Sequence, residues 1–179
     1  MPVRSRHFTR RGAAVSLTAA LTALATAGLT WNASATTAAR TAASSVHTCT
    51  VGDLYLSLGR KEGAAGSLYQ PITFTNTGRG SCALRGYPGV SVLDSQHGQI
   101  GAAATRSGRS YATVVLAPGH SASAVIRTTN GPVGGACRPT GTYLRVYPPA
   151  SYQPVLIPAH WKVCSGTFQV GPVNTQGAF

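Results

Sequence analysis

The chain has 179 residues, with 15 lysines and arginines against three aspartates and glutamates, a formal net charge of +12, and 43% hydrophobic residues. That length supports a single core, while so few carboxylates leave little material for acid and base pairs, such as the two that a glycosidase sets across a cleft. The four cysteines contain no C-x-x-C pair, so close-spaced metal sites are excluded and neither a metal nor a cofactor is expected.

Residues 1 to 11 carry Arg4, Arg6, Arg10 and Arg11 with no acid, and Ala13 to Leu29 follow as a run of small and apolar residues. Charged then apolar is the order of a secretory signal peptide. The run is too rich in Ala and Thr for a permanent anchor, so a signal peptide is predicted over 1–35. Ala33-Ser34-Ala35 places the cut after Ala35, with Ala25-Thr26-Ala27 as the weaker alternative. The Arg10-Arg11 pair leaves the twin-arginine route open beside the general secretory one. No cysteine ends the apolar run, so a lipid anchor lacks its acceptor. The exported protein is expected to be extracellular, soluble or held to the cell wall only by non-covalent contacts.

Loss of the four arginines leaves eleven basic residues against Asp53, Glu62 and Asp94, a net charge of +8. Charge of that size speeds encounters with polyanions and is screened by salt. The basic residues are scattered and accompany no nucleic-acid motif, so no nucleic acid is expected as a partner. Residues 36–47 have too few large apolar side chains to repay ordering and are read as a disordered leader. The folded domain is predicted over 48–172, with 173–179 as a C-terminal tail.

Within the domain, short alternating apolar runs are broken by Gly, Pro and Asn, and no segment keeps a helical period. Leu54, Leu56 and Leu58 predict a first strand with one buried face. Ile72 and Phe74 predict a second, ending at Asn76-Thr77-Gly78, where Asn and Gly tolerate the positive φ of a tight reversal. Val90, Val92 and Leu93 mark a third, and Asp94 to Gly98 a polar turn leading into Ile100. Val114 and Leu116 end at Ala117-Pro118-Gly119. Ala122, Ala124 and Ile126 face inward from the next strand, and Leu144 and Val146 from the one that Pro148-Pro149 stops. A last strand is predicted from Trp161 to Val170. Seven or eight strands of this kind predict an all-β, two-sheet sandwich.

Three stretches carry a family resemblance: Leu68-Tyr69-Gln70-Pro71-Ile72-Thr73-Phe74-Thr75-Asn76-Thr77-Gly78, Cys82-Ala83-Leu84-Arg85-Gly86-Tyr87-Pro88-Gly89-Val90, and Leu116-Ala117-Pro118-Gly119 with Ser121-Ala122. With the four-cysteine layout, they resemble the actinobacterial family named domain of unknown function 4232. The resemblance covers roughly Cys49 to Val170, and the Cys-x-Leu-x-Gly-Tyr-Pro-Gly stretch is its specific part. It implies an exported or lipoprotein immunoglobulin-like domain and no activity.

An even cysteine count behind an export signal predicts two disulfides. Of three connectivities, Cys49 to Cys82 with Cys137 to Cys164 is expected, because sequential pairing ties the first strand to the third and bridges the strands flanking the Pro-rich segment. Each bridge closes a loop of about 30 residues, worth roughly 3 to 4 kcal/mol in the chain-entropy model.

A hydrolase needs a nucleophile, a base and an orienting acid. His47 falls in the leader, His97 and His120 fall in turns, and neither Ser81 nor Ser165 has a Gly-x-Ser-x-Gly setting. The chain is therefore not expected to be an enzyme. Tyr143, Arg145 and Tyr147 alternate on one strand face, with Tyr152 and Trp161 near in sequence and Tyr87 in a separate turn. These six residues form the candidate binding surface, since rings and guanidinium groups suit a sugar or a peptide. Cross-strand bracing of the sheet is the other reading of the same residues. The expected function is a secreted, non-catalytic domain that binds an anionic wall polymer, a glycan or an exported protein. The alternative is a secreted inhibitor of an extracellular hydrolase, presenting Arg138-Pro139 or the Pro148 to Pro158 segment.

Overall fold

The computed structural model describes residues 46–179; the expected signal peptide with its cut, and the expected leader up to residue 45, lie outside the described residues. Among the described residues no helix is long and apolar enough to cross a membrane.

Among the described residues eleven strands are present, and the longer ones follow the alternation of their side chains. β1 (Leu54–Leu58) pairs antiparallel with β3 (Ser67–Asn76), and β3 with β8 (Ser121–Thr129). The second sheet runs in the order β10 (Val155–Trp161), β9 (Gly141–Tyr147), β5 (Gly89–Leu93). Leu56, Ile72, Phe74 and Ile126 from the first sheet meet Val90, Val92, Leu144 and Val146 from the second in one buried cluster. Two facing antiparallel sheets of three principal strands each, in these orders, match the A-B-E and G-F-C halves of an immunoglobulin-like sandwich. Burial of that cluster is the main stabilising term, at ~25 cal/mol for each Å² of apolar surface removed from water.

The strands beyond the expected seven or eight are short. β2 (Glu62–Ala64) folds back on β3, β4 (Cys82–Arg85) pairs with β7 (Thr113–Leu116), and β6 (Thr105–Arg106) lies parallel to β11 (Gln169–Val170), which extends the first sheet beyond β8. The strand expected from Trp161 to Val170 is corrected: β10 ends at Trp161, and the chain turns around Cys164 before β11 begins. β10 occupies the second half of the Pro-rich segment instead. Pro158 fits there because β10 is an edge strand, where a missing N–H costs no ladder bond.

The β2–β3 turn is Ala65-Gly66, with φ of 45° and 71°. A two-residue loop with both residues left-handed favours Asn-Gly, whereas Ala is strained there by its Cβ. Ala65→Asn is expected to stabilise the domain by about 0.5 to 1 kcal/mol, read as a rise of a few degrees in a thermal melt.

The Asn76-Thr77-Gly78 stop also needs correction, because its physical reason differs from the expected one. Neither Asn76 nor Gly78 has a positive φ. Asn76 is fully buried; its side-chain amide donates to the carbonyls of Gly80 at 2.9 Å and Leu116 at 2.8 Å, and its Oδ1 accepts from the Gly78 N–H at 2.9 Å. One side chain thereby joins the end of β3 to the end of β7.

The disulfides are Cys49–Cys82 and Cys137–Cys164, spanning 33 and 27 residues. The pairing is the expected one, but the first bridge does not link the strands it was expected to link. Cys49 precedes β1, and Thr48 and Cys49 run beside β4, with the Cys49 N–H donating to the Ala83 carbonyl at 2.9 Å. The second bridge ties the loop after β8 to the turn before β11. There the Cys164 N–H donates to the buried Thr128 hydroxyl at 2.9 Å.

The segment read as a tail packs on the domain. Val173 is 2% exposed and donates its N–H to the Gly86 carbonyl. Asn174 exchanges backbone hydrogen bonds with Ser123, and its Oδ1 accepts from the Ala178 N–H at 3.0 Å. Phe179 meets the Tyr69 ring edge-on at 5.6 Å, under the Arg127 guanidinium. Val125 faces outward by alternation yet is buried, and the Gly171 N–H donates to its carbonyl.

Candidate functional site

The six aromatic and cationic residues singled out in the sequence do not converge. Tyr143, Arg145 and Tyr147 do share the outer face of β9, but each is half-buried. His97, at φ 64° in the Asp94–Gly98 turn, sets its ring 5.0 Å from that of Tyr143. Arg145 donates to the Gln99 side chain at 2.6 Å, and Tyr147 packs against the backbone of Gly89 on β5. These contacts are the bracing reading of the face. Tyr152 stands 97% exposed in the loop between β9 and β10. Trp161 is corrected as a surface residue: it is fully buried, because the inward face of β10 carries it into the core against Phe168.

Tyr87 leads to a different constellation. Its ring meets Tyr111 edge-on with centroids 5.6 Å apart. The Arg106 guanidinium lies 5.8 Å from the Tyr87 centroid, and that of Arg85 lies 5.2 Å from the Tyr111 centroid. The Tyr87 hydroxyl donates to the Arg109 carbonyl, and the Arg109 guanidinium donates to the Phe179 carbonyl. Gly86, at φ 99°, lets the Tyr111 ring come within 3.6 Å of where a Cβ would sit. Arg85, Arg106, Arg109 and Tyr111 are exposed.

β4 and β7 bring Arg85 and Tyr111 together, since their pairing sets Arg85 opposite Thr113, two residues past Tyr111, while Arg106 comes from β6 beside β11. A partial signal was present in the sequence: Arg85-Gly86-Tyr87 and Arg109-Ser110-Tyr111 are two of its three Arg-x-Tyr triplets, the third being Arg145-Val146-Tyr147 on β9. The first two triplets lie 24 residues apart, and only β4–β7 pairing makes them neighbours.

The acids lie elsewhere. Asp53 closes the turn before β1, where the Thr50 N–H and hydroxyl both donate to it at 2.8 Å and hold its carboxyl below the usual range. Asp94 accepts the N–H groups of Gln96 and Gly98 within its own turn. Among the described residues the one Asp or Glu side chain in a contact of salt-bridge type is Asp53, with His47 at 3.5 Å, so no arginine there is paired with an Asp or Glu side chain. His47, Asp53 and Cys82 come close enough to suggest a metal site. The Cys82 sulfur is bonded to Cys49 and has no thiolate to offer.

Ser165 sits at φ 53° in the turn after the second bridge and donates its hydroxyl to the Gly135 carbonyl at 3.3 Å.

A family model described as a domain of unknown function, DUF4232, matches residues 49–174. The chain belongs to that family. The DUF4232 match begins at the first disulfide cysteine and takes in both bridges, the three Arg-x-Tyr triplets and the start of the terminal strap. No curated protein matches the chain. The two disulfides of this DUF4232 domain fit an oxidising, extracellular compartment.

Proposed function

We propose that the protein is a secreted, non-catalytic module that holds an anionic polymer of the cell envelope at the cluster of Arg85, Arg106 and Arg109 around Tyr87 and Tyr111. The carrying observation is that the exposed guanidinium groups of Arg85 and Arg106 lie against two rings, with no Asp or Glu partner among the described residues, while Arg109 beside them donates to Phe179. A ring face orients the planar guanidinium fork without using its donors, which stay free for the oxygens of a phosphate or carboxylate. The excess of basic residues adds long-range attraction for the same ligand class. Recognition that rests on a few charge contacts is sensitive to salt.

The test is sedimentation of the exported chain with purified cell walls across a salt series. Binding is expected to weaken roughly twentyfold to fortyfold between about 50 and about 200 mM salt if about three contacts form. Arg85→Gln with Arg106→Gln is expected to weaken it about tenfold at low salt without moving the melting temperature, since both side chains are exposed. Wild-type retention by the double variant sinks the assignment to this cluster. Inhibition of a secreted protease without wall binding would place function in the exposed Tyr152 loop instead.

A further inference from the structure

A cleft of about 420 Å³ opens beside β9 and β10 and shares no residue with the arginine cluster. Leu58, Lys61, Gln70, Thr142, Pro158 and His160 line it, and no carboxylate does. Gln70 is 7% exposed; its Nε2 donates to the Gly59 carbonyl at 3.0 Å, but its Oε1 has no partner. Trp161, next to His160, is fully buried, and its indole N–H is also unpartnered. Lys61 lines the same cleft as Gln70, and its ammonium sits 5.7 Å from the Trp161 ring and donates to the His160 carbonyl. An unmade hydrogen bond on a buried polar atom is costly, and the one on Gln70, a residue that lines the opening, marks a place where an added group is stabilising.

We propose that this cleft is a binding site for a single acidic sugar ring. The Gln70 Oε1 needs a donor, which a sugar hydroxyl supplies. Lys61 has only a neutral carbonyl as its hydrogen-bond partner, and a ligand carboxylate replaces it with a charge-assisted bond. Leu58 and Pro158 give the ring's carbon face an apolar wall. The volume is many times the ~30 Å³ that one water occupies in the liquid, so a hexose-sized ring fits. Lys61 is exposed and on a long, flexible side chain, so it swings aside to admit the ring and closes on its carboxylate.

Trp161 reports the event directly. The sequence has two tryptophans, and Trp31 lies ahead of the cut after Ala35. In the chain expressed from Thr36, which contains every described residue, emission therefore comes from Trp161 alone. Titration with glucuronate is expected to shift or quench that emission saturably, with half-saturation at about millimolar concentration, as suits so small a ligand. Glucose, and acetate at matched ionic strength, are expected to act at least about tenfold more weakly. Lys61→Gln is expected to weaken glucuronate about tenfold, while Arg85→Gln with Arg106→Gln leaves it unchanged and so separates this site from the polymer site. A flat glucuronate titration of folded protein overturns the proposal, as does an equal response to acetate or an unaltered response in Lys61→Gln.

Discussion

Reduction and alkylation of both disulfides is expected to unfold the domain at 25 °C. The bridges span 33 and 27 residues, which the chain-entropy model converts to about 3.5 to 4 kcal/mol each. Their sum, about 7 kcal/mol, is comparable with the whole stability of an ordinary domain, about 5 to 15 kcal/mol. This sandwich has little in reserve, because several inward positions, Ala122, Ala124 and Ala159, carry only a methyl group. The two bridges should also differ in kinetics. Cys49 and Cys82 are 1% and 0% exposed, whereas Cys137 is half-buried in a loop. Timed reduction followed by alkylation and mass spectrometry should therefore show Cys137–Cys164 opening first. An unchanged thermal melt after full reduction would falsify the view that the bridges hold this fold.

The second large effect is expected at Asn76. Asn76→Ala removes two amide donors and one acceptor at a fully buried position. The Leu116 carbonyl loses its side-chain donor at a buried site, while the Gly78 and Gly80 groups sit in a loop that water can partly reach. The expected cost is about 2 to 4 kcal/mol, measured as a shift in the denaturant midpoint at constant slope. Asn76→Asp separates hydrogen bonding from shape. Aspartate keeps the acceptor for Gly78 but turns a carboxylate toward two carbonyl oxygens, so it should cost at least as much as alanine at neutral pH and recover partly as the pH falls and the group protonates. Wild-type stability in the Asn76→Asp variant would show that the bridging role is wrong.

Asn76 also shows how far the sequence can be read. Polar residues and glycine interrupt a period-two run there, and the end of β3 falls at this residue as that pattern predicts. The reason for the stop was not legible. A positive φ is a local property and the only explanation that local residues suggest; the true partners, Gly80 and Leu116, include one 40 residues away. Trp161 is the reverse case. A tryptophan near exposed tyrosines reads as a platform, but the pattern sets the last strand several residues too late, and moving it to Val155–Trp161 puts the indole on the inward face. One misplaced strand boundary thus turned a core residue into a candidate ligand contact.

The same division holds for the sites. The Gly86-Tyr87-Pro88-Gly89 turn stood out in the sequence, yet its partners Arg106, Arg109 and Tyr111 did not, since their neighbourhood depends on β4 pairing with β7 and on β6 pairing with β11. The cleft under Lys61 left one trace in the sequence, Tyr143, which lines it and stood among the candidate binding residues. Its lining comes from four separate stretches of chain, and the unpartnered Gln70 oxygen exists only because the amide's other end is bonded to Gly59.

From the sequence alone came the all-β class, the inward faces of β1, β3, β5, β8 and β9, and the family. All of these rest on local alternation, turn chemistry or motif spacing, which neighbouring residues along the chain settle among themselves. The tertiary structure alone decided which cations share a surface, which aromatic ring is buried, and that the last residues strap onto the sheet. Those outcomes depend on which strands become neighbours and in what register. Alternation determines which side of a strand faces inward, but long-range pairing determines what it meets there.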